Sequence, residues 1–182
     1  MTEAHGAKPA EEAPKELPAA FFGQFLAENG INSKRHADHS GAVECIELAA
    51  KDLLPAIKLM RTSADTQLNY LITISGVEQA NHFESVYHFW SYNNLKELVV
   101  KVIVEKSDVP EGQLPVVPSI ANFWPAANWH ERETYDLVGI RYEGHPYLRR
   151  LLNPWDWDGH PLRRDYKQPV DSLNDKNPHS MR

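Results

Sequence analysis

The chain has 182 residues and a formal net charge of −6, so it can form one domain with a proper core but hardly two. This acidic balance argues against nucleic acid as a main partner, because phosphate binding needs a concentrated basic surface. No stretch approaches the ~18 to 20 apolar residues that span a bilayer, and the single cysteine, Cys45, excludes a disulfide or a cysteine-held cluster within the chain.

The amino-terminal region is predicted to be a tail followed by one helix. Residues 1–18 are rich in Ala, Glu and Pro and are predicted to be disordered, because they cannot bury enough apolar area to offset chain entropy. Residues 19–29 carry large apolar side chains at helical spacing and end before Gly30, a favourable C-cap.

His36 and His39 follow in a polar loop, but a third metal ligand is not evident there. We expect no secretory signal, because no basic start precedes an apolar core.

The middle of the chain alternates between predicted strands and one helix. Strands are predicted over 43–48, 68–75, 83–92 and 96–104, and a helix over 52–61. Short loops around Gly76 and at Asn93-Asn94 should connect the last three strands as hairpins. This order predicts an α+β fold: a two-layer domain with a mostly antiparallel four-stranded sheet, helices on one face, and a long extended C-terminal segment.

We therefore divide the chain into four regions. They are a disordered tail over 1–18, an α+β domain over 19–107, a Pro-rich connector with a short helix over 108–130, and a Glu-Arg-Glu helix with an extended partner-docking segment over 131–182. The last region holds six of the nine arginines between residues 131 and 166, without a lysine among them. Because the arginine fork binds carboxylates and carbonyls bidentately, this run predicts partly buried pairing.

The start of this region is predicted to be helical, and its acidic residues to be paired. Glu133 lies four residues from both Trp129 and Leu137, so we expect it to be desolvated and to need a cation. Arg132 and Asp136 are also four apart and are predicted to pair on the adjacent face.

Two similar passages follow, Gly144-His145-Pro146 before Leu148-Arg149-Arg150 and Gly159-His160-Pro161 before Leu162-Arg163-Arg164. Proline keeps the preceding residue extended, so neither histidine should lie inside a helix. The passages have too few aliphatic residues for a core, and we expect them to lie across a partner's surface. A wrap around the chain's own sheet is the alternative, and the two can coexist.

We predict no catalytic, cofactor-binding or metal-binding residue in this chain. The predicted residues for partner docking or structure are Arg132, Glu133, Asp136, His145, Arg149, Arg150, Trp155, Trp157, Arg163, Arg164 and Asp165. Trp and Arg are the usual anchors of desolvated contacts.

One ordered run of residues resembles the signature of the 30 kDa subunit of respiratory complex I, the C-type or J-type subunit of the NADH-quinone oxidoreductase family. The run is Glu131-Arg132-Glu133, Tyr135-Asp136, Gly139-Ile140, Gly144-His145-Pro146, Leu148-Arg149-Arg150 and Pro161-Leu162-Arg163-Arg164-Asp165. The sequence departs from the family at Val138, where Phe is usual, and at 153–157, which is more similar to ferredoxin-accepting and photosynthetic branches. These departures leave the electron donor open.

The resemblance implies a non-catalytic peripheral-arm subunit of a proton-translocating complex I-type NAD(P)H- or ferredoxin-quinone oxidoreductase. It implies no cofactor in this chain, with iron–sulfur clusters and quinone in partner subunits. The implied partners are the quinone-site (49 kDa-type) subunit and neighbouring iron–sulfur subunits of the hydrophilic arm. The implied location is the cytoplasmic face of a bacterial plasma membrane or a photosynthetic membrane, reached only through the complex.

Two alternatives stay open. The first is the equivalent subunit of a membrane-bound hydrogenase or a deazaflavin-linked dehydrogenase. The second is an independent hydrolase that uses His145 or His160 with Glu133, Asp136 or Asp158. Against the hydrolase, both histidines precede prolines, and the sequence contains no HExxH, GxSxG, P-loop or GxGxxG motif.

Overall fold

The computed structural model describes residues 20–36 and 43–167. Its helices are α1 (Phe21–Glu28), α2 (Ala50–Thr62) and α3 (Ala127–Val138). Its strands are β1 (Lys34–His36), β2 (Glu44–Leu48), β3 (Tyr70–Glu78), β4 (His82–Ser91), β5 (Lys96–Glu105), β6 (Val116–Pro118) and β7 (Arg141–Glu143). The predicted tail over 1–18 and His39 lie outside the described residues.

The main sheet has the strand order β1-β2-β5-β4-β3, in which only the β2–β5 pair is parallel. A second, two-stranded sheet pairs β6 with β7 in parallel. The predicted α+β fold with a mostly antiparallel sheet is confirmed. The sheet has five strands rather than the predicted four, because the polar stretch Lys34–His36 pairs with β2 as a short edge strand. Short, charged edge strands lack the apolar alternation that would reveal them in a sequence.

The connection between β3 and β4 differs from the prediction. The sequence predicts a loop at Gly76, but this residue lies inside β3, where it pairs with Ser85. The turn follows three residues later, where the Gln79 N–H donates to the His82 carbonyl at 2.8 Å. A Cβ atom at Gly76 would collide with Thr134 Cγ2 of α3, so this glycine permits the close approach of α3 to β3. The predicted hairpin at Asn93-Asn94 is confirmed.

The core lies between the main sheet and the three helices, which cover one face of it. Its largest fully buried side chains include Tyr87, Phe89 and Phe22. The same core also takes in residues that follow the main sheet in the chain, among them Trp124, Val138 and Tyr142. Within the described ranges no helix is both long enough and apolar enough to cross a bilayer.

The opposite face of the sheet carries a small cluster of Cys45, Val86 and Val99. Cys45 is buried, since only 4% of it is exposed. His88 also lies on this face, with Nδ1 placed 3.3 Å from the Glu97 carboxylate on the neighbouring strand.

Candidate docking surface

Helix α3 is the element around which the C-terminal chain is built. Its buried side chains are Ala127, Glu131, Thr134, Asp136 and Val138. The helix ends at Gly139, which adopts a left-handed φ of 78° and donates its N–H to carbonyls of the last turn. The prediction that Glu133 is desolvated is wrong. Glu133 and Trp129 lie on the solvent side, and Trp129 is 60% exposed.

Asp136 is the anchor for the residues that follow the helix. Its Oδ2 atom accepts hydrogen bonds from three successive backbone N–H groups, those of Leu151, Leu152 and Asn153, at 2.9, 2.7 and 2.8 Å. Its Oδ1 atom accepts from Arg150 Nη1 at 2.7 Å and from Asn153 Nδ2 at 3.0 Å. Burial raises the pKa of Asp136, but the hydrogen bonds from Asn153, Arg150 and Leu152 outweigh it and hold the pKa at about 2.

The cation that pairs with Asp136 is Arg150, so the predicted pair of Arg132 with Asp136 is wrong. The Arg150 guanidinium makes further hydrogen bonds to three carbonyls, those of Asp136 (3.1 Å), Trp157 (2.9 Å) and Gly159 (2.8 Å). One fork therefore ties both ends of the loop 151–159 to α3, in the bidentate manner that lysine does not provide.

Two further arginines bind backbone carbonyls rather than acids. Arg132 donates from Nε and Nη2 to the carbonyls of Arg149 and Arg150, at 3.1 and 3.2 Å. Arg163 donates to the carbonyls of Val138 (2.8 Å) and Gly139 (3.2 Å), where the end of α3 leaves carbonyls without helical partners.

Residues 144–167, which we call the C-terminal wrap, are therefore held on the chain's own α3. Leu162 adds a backbone hydrogen bond to the Leu137 carbonyl at 2.9 Å, and the Arg164 N–H donates to Glu78 Oε2 at 2.7 Å. The described part of this segment thus forms the intramolecular wrap given above as the alternative, and its placement across a partner's surface stays a prediction. Residues beyond 167 lie outside the described part.

Glu131 is a site residue that the predicted set did not include. It is fully buried, and its carboxylate accepts from Ser119 Oγ at 2.6 Å and from the Ile120 N–H at 2.7 Å. Burial raises its pKa to about 7 despite these hydrogen bonds. The available signal was its position four residues after Ala127 and three before Thr134, on the helical stripe that faces the core.

Both histidines of the repeated passages lie outside helices, as predicted. His145 Nδ1 accepts from the Tyr147 N–H at 2.9 Å, and Nε2 lies 3.2 Å from the Asn128 carbonyl and 3.9 Å from Glu131 Oε2. This arrangement places the proton of a neutral ring on Nε2. Burial lowers the pKa of His145.

His160 uses Nδ1 to donate to the Asp136 carbonyl at 3.0 Å, and burial lowers its pKa as well. Its ring borders a shallow cleft of about 250 Å³ that Asp158 and Asp165 also line. Among residues 20–36 and 43–167, no group of three or more His, Cys, Asp or Glu side chains is arranged to hold a metal ion.

The outer side of α3 and the wrap carries large apolar side chains. Their exposed fractions are 60% for Trp129, 51% for Tyr147, 62% for Leu152, 90% for Trp155 and 62% for Leu162. Several exposed apolar side chains of this size within one short part of the chain suit a binding surface.

The structure divides the predicted docking residues into two groups. The inward group helps to hold the wrap on α3. Its members are Arg132, Asp136, His145, Arg150, Arg163 and the half-buried Trp157. The outward group is exposed: Glu133, Arg149, Trp155, Arg164 and Asp165.

Comparison with known proteins places this architecture in a family. The family described as respiratory-chain NADH dehydrogenase, 30 Kd subunit, matches residues 46–172. The C subunit of the NADH-quinone oxidoreductase of Methylobacillus flagellatus is 39% identical over 152 residues, which cover 79% of this chain and 73% of the relative. The C subunit of the same enzyme from Roseiflexus sp. (strain RS-1) is 40% identical over 116 residues, which cover 62% of this chain and 63% of the relative.

The matched part spans only 53% of the corresponding C subunit from a Nocardioides species, so the chain covers between about half and three-quarters of these three relatives. One solved structure, of the membrane-bound sulfane sulfur reductase, an archaeal respiratory membrane complex, contains a chain with the same fold. The TM-score is 0.60 at 18% identity, over 83% of this chain and 85% of that one. The match over residues 46–172, which takes in α3 and the whole wrap, shows that the chain belongs to the family of the 30 kDa subunit of respiratory-chain NADH dehydrogenase.

Proposed function

We propose that this chain is a non-catalytic peripheral-arm subunit of a proton-translocating complex I-type quinone oxidoreductase, and that it docks on the quinone-site subunit through the outer side of α3 and the wrap. The observation that carries the proposal is the division of the wrap into two sides. Arg150 and Arg163 bind inward to α3, while Trp155 is 90% exposed with Leu152 and Leu162 at 62%.

Such a surface suits docking because it is already ordered before the partner arrives. The polar anchors bind Asp136 and the carbonyls of α3, so association does not have to order the loop 151–159. Preordered aromatic side chains contribute more to affinity, because less conformational entropy is lost on binding.

In this proposal the electron carriers belong to neighbouring subunits. The chain's single cysteine cannot supply the several thiolates that an iron–sulfur cluster needs. Electrons would pass through those neighbours to a quinone, with this subunit fixing the geometry of the arm. The chain would sit at the cytoplasmic face of the membrane, held there by the complex.

A second candidate keeps the subunit and changes the complex. A chain of an archaeal membrane-bound sulfane sulfur reductase has the same fold. We therefore also consider a related respiratory assembly, such as a membrane-bound hydrogenase or a deazaflavin-linked dehydrogenase. The electron donor distinguishes these complexes, and it is a property of the companion subunits.

Co-purification from native membranes tests the proposal. The full chain with an affinity tag is purified in mild detergent, and its companions are identified by mass spectrometry. We expect the quinone-site subunit and iron–sulfur subunits, with flavin-binding subunits if NADH is the donor and hydrogenase-type or deazaflavin-linked companions in the second case. Recovery of the chain alone, or substrate turnover by the isolated chain, would contradict the proposal.

A further inference from the structure

Four side chains on the outer side of α3 and the wrap form an alternating stack of aromatic rings and guanidinium groups. The Arg132 guanidinium lies 5.2 Å from the Trp129 ring centroid and 5.9 Å from that of Tyr147. The Arg149 guanidinium covers Tyr147 at 4.4 Å. We call this set, Trp129, Arg132, Tyr147 and Arg149, the arginine–aromatic ladder.

The ladder is held in place by bonds that leave its outer members open to solvent. Arg132 is fixed by its hydrogen bonds to the carbonyls of Arg149 and Arg150. Tyr147 is fixed through its N–H, which donates to the buried His145 ring at 2.9 Å. Arg149 itself is exposed, and the Trp129 and Tyr147 side chains are 60% and 51% exposed. The stack is therefore preordered and accessible.

The charge of the ladder is not neutralised within the described part of the chain. Among the described residues from 127 to 167 the charged pair within salt-bridge distance is Arg150 with Asp136, which involves neither Arg132 nor Arg149. The chain as a whole has a net charge of −6. A pair of cations without acids, framed by aromatic rings on an acidic protein, is complementary to a carboxylate-bearing surface.

A second exposed apolar group lies around the start of β3 and provides a contrast. The rings of Tyr70 and Tyr92 pack 5.6 Å apart and are 47% and 59% exposed. Within the described ranges the arginine and lysine contacts to aromatic rings involve Phe83, Trp124, Trp129 and Tyr147, and not these two tyrosines. Of these two exposed groups, the ladder is therefore the one that carries a charge able to select the chemistry of its occupant.

We propose that the arginine–aromatic ladder binds a segment of the quinone-site subunit that presents Asp or Glu carboxylates. This inference rests on the proposed docking function and specifies the chemistry of one contact within it. The free fork of Arg149 receives a carboxylate bidentately, while the rings of Tyr147 and Trp129 cover the aliphatic part of the segment and exclude water.

A lysine variant tests the contact directly within the assembled complex. Arg149→Lys keeps the charge, so the complex still assembles, and it introduces an amine that a carbodiimide can couple to a carboxylate in direct contact. We expect an amide cross-link from position 149 to an Asp or Glu of the quinone-site subunit. The matched control is Arg35→Lys, because Arg35 lies on β1 at the far edge of the sheet from α3 and should give no link to that segment. A link to a second copy of this chain, or none in an intact complex, overturns the inference.

A charge reversal supplies the second readout. Arg149→Glu should lower the recovery of the quinone-site subunit about ten-fold, with the loss reduced at high salt, and Arg35→Glu should leave it unchanged. Thermal unfolding of the isolated variant should match the wild type, because the Arg149 side chain is exposed. Wild-type recovery with Arg149→Glu overturns the inference and leaves the proposed function standing. Failure of the wild-type chain to recover any partner instead overturns the proposed function.

Discussion

The Arg150 guanidinium and the Asp136 carboxylate meet at 2.7 Å, and this pair is central to the contacts that fasten the irregular C-terminal chain to α3. The same carboxylate accepts hydrogen bonds from three consecutive backbone N–H groups, and the same guanidinium donates to the carbonyls of Trp157 and Gly159. The wrap lacks an apolar core, and this pair stabilises it instead, because the pair provides hydrogen-bond partners for backbone groups that would otherwise need water.

Asp136→Asn should destabilise the isolated chain by about 3 kcal/mol, because it removes the charge that Arg150 and three N–H groups surround. Denaturant unfolding at neutral pH measures the change, and Asp158→Asn is the control, since Asp158 is exposed. The pKa of Asp136 is about 2, below its usual 3.8, so its stabilising effect is present above pH 4 and disappears as the pH falls towards 2. Equal stability of the two variants would contradict the role of Asp136.

Glu131→Gln should change how stability depends on pH. Burial raises the pKa of Glu131 from 4.5 to about 7, so the neutral form stabilises the fold fully below pH 4.5, and this contribution is lost as the pH rises through 7. The buried groups around it are Ser119, His145 and Tyr142. Chemical denaturation at pH 5 and at pH 8 measures the free energy of unfolding of both proteins. From pH 5 to pH 8, the value for the variant should rise relative to that for the wild type by at most about 3 kcal/mol. A difference that is constant with pH would show that Glu131 does not titrate in this range.

Gly76→Ala should destabilise the domain by about 1 to 3 kcal/mol, because the new methyl group would collide with Thr134 Cγ2. Thr134→Ser removes that methyl group, so the double variant should recover much of the loss relative to Thr134→Ser alone. A double-mutant cycle by thermal or denaturant unfolding measures the coupling. Independent, additive effects would mean that the approach of α3 to β3 does not depend on this glycine.

Trp155→Ala should separate assembly from folding. Trp155 is 90% exposed, so its removal should change the free energy of unfolding by no more than about 0.5 kcal/mol. Recovery of the quinone-site subunit with the tagged chain should nevertheless fall. Tyr92→Ala is the matched control, because Tyr92 is an exposed aromatic residue at the β4–β5 turn. An equal effect of both substitutions on recovery would count against docking through the wrap.

Local patterns in the sequence predict most of the fold. Helix α3 follows from the absence of Gly and Pro up to Leu137, and its end follows from Gly139. Alternating β-branched and aromatic residues locate β4 and β5 to within one residue. Strand β1 is not predictable in this way, because Lys34–His36 is polar and becomes a strand only by pairing with β2.

The pairing within the site depends on tertiary structure that spacing rules do not capture. The i, i+4 rule favours Arg132 as the partner of Asp136, but Arg150 reaches it from 14 residues further along an irregular chain. The same limit applies to Glu133 and Glu131. Flanking apolar residues indicate burial of Glu133, whereas the stripe that faces the core passes through Glu131.

The most direct test of docking through the wrap is photo-cross-linking in the native complex from a photoreactive amino acid at position 155, which has the most exposed large apolar side chain among the described residues. The account predicts a covalent link to the quinone-site subunit, identified by mass spectrometry. A fully assembled complex in which position 155 links to a different subunit, or stays unlinked, would contradict it.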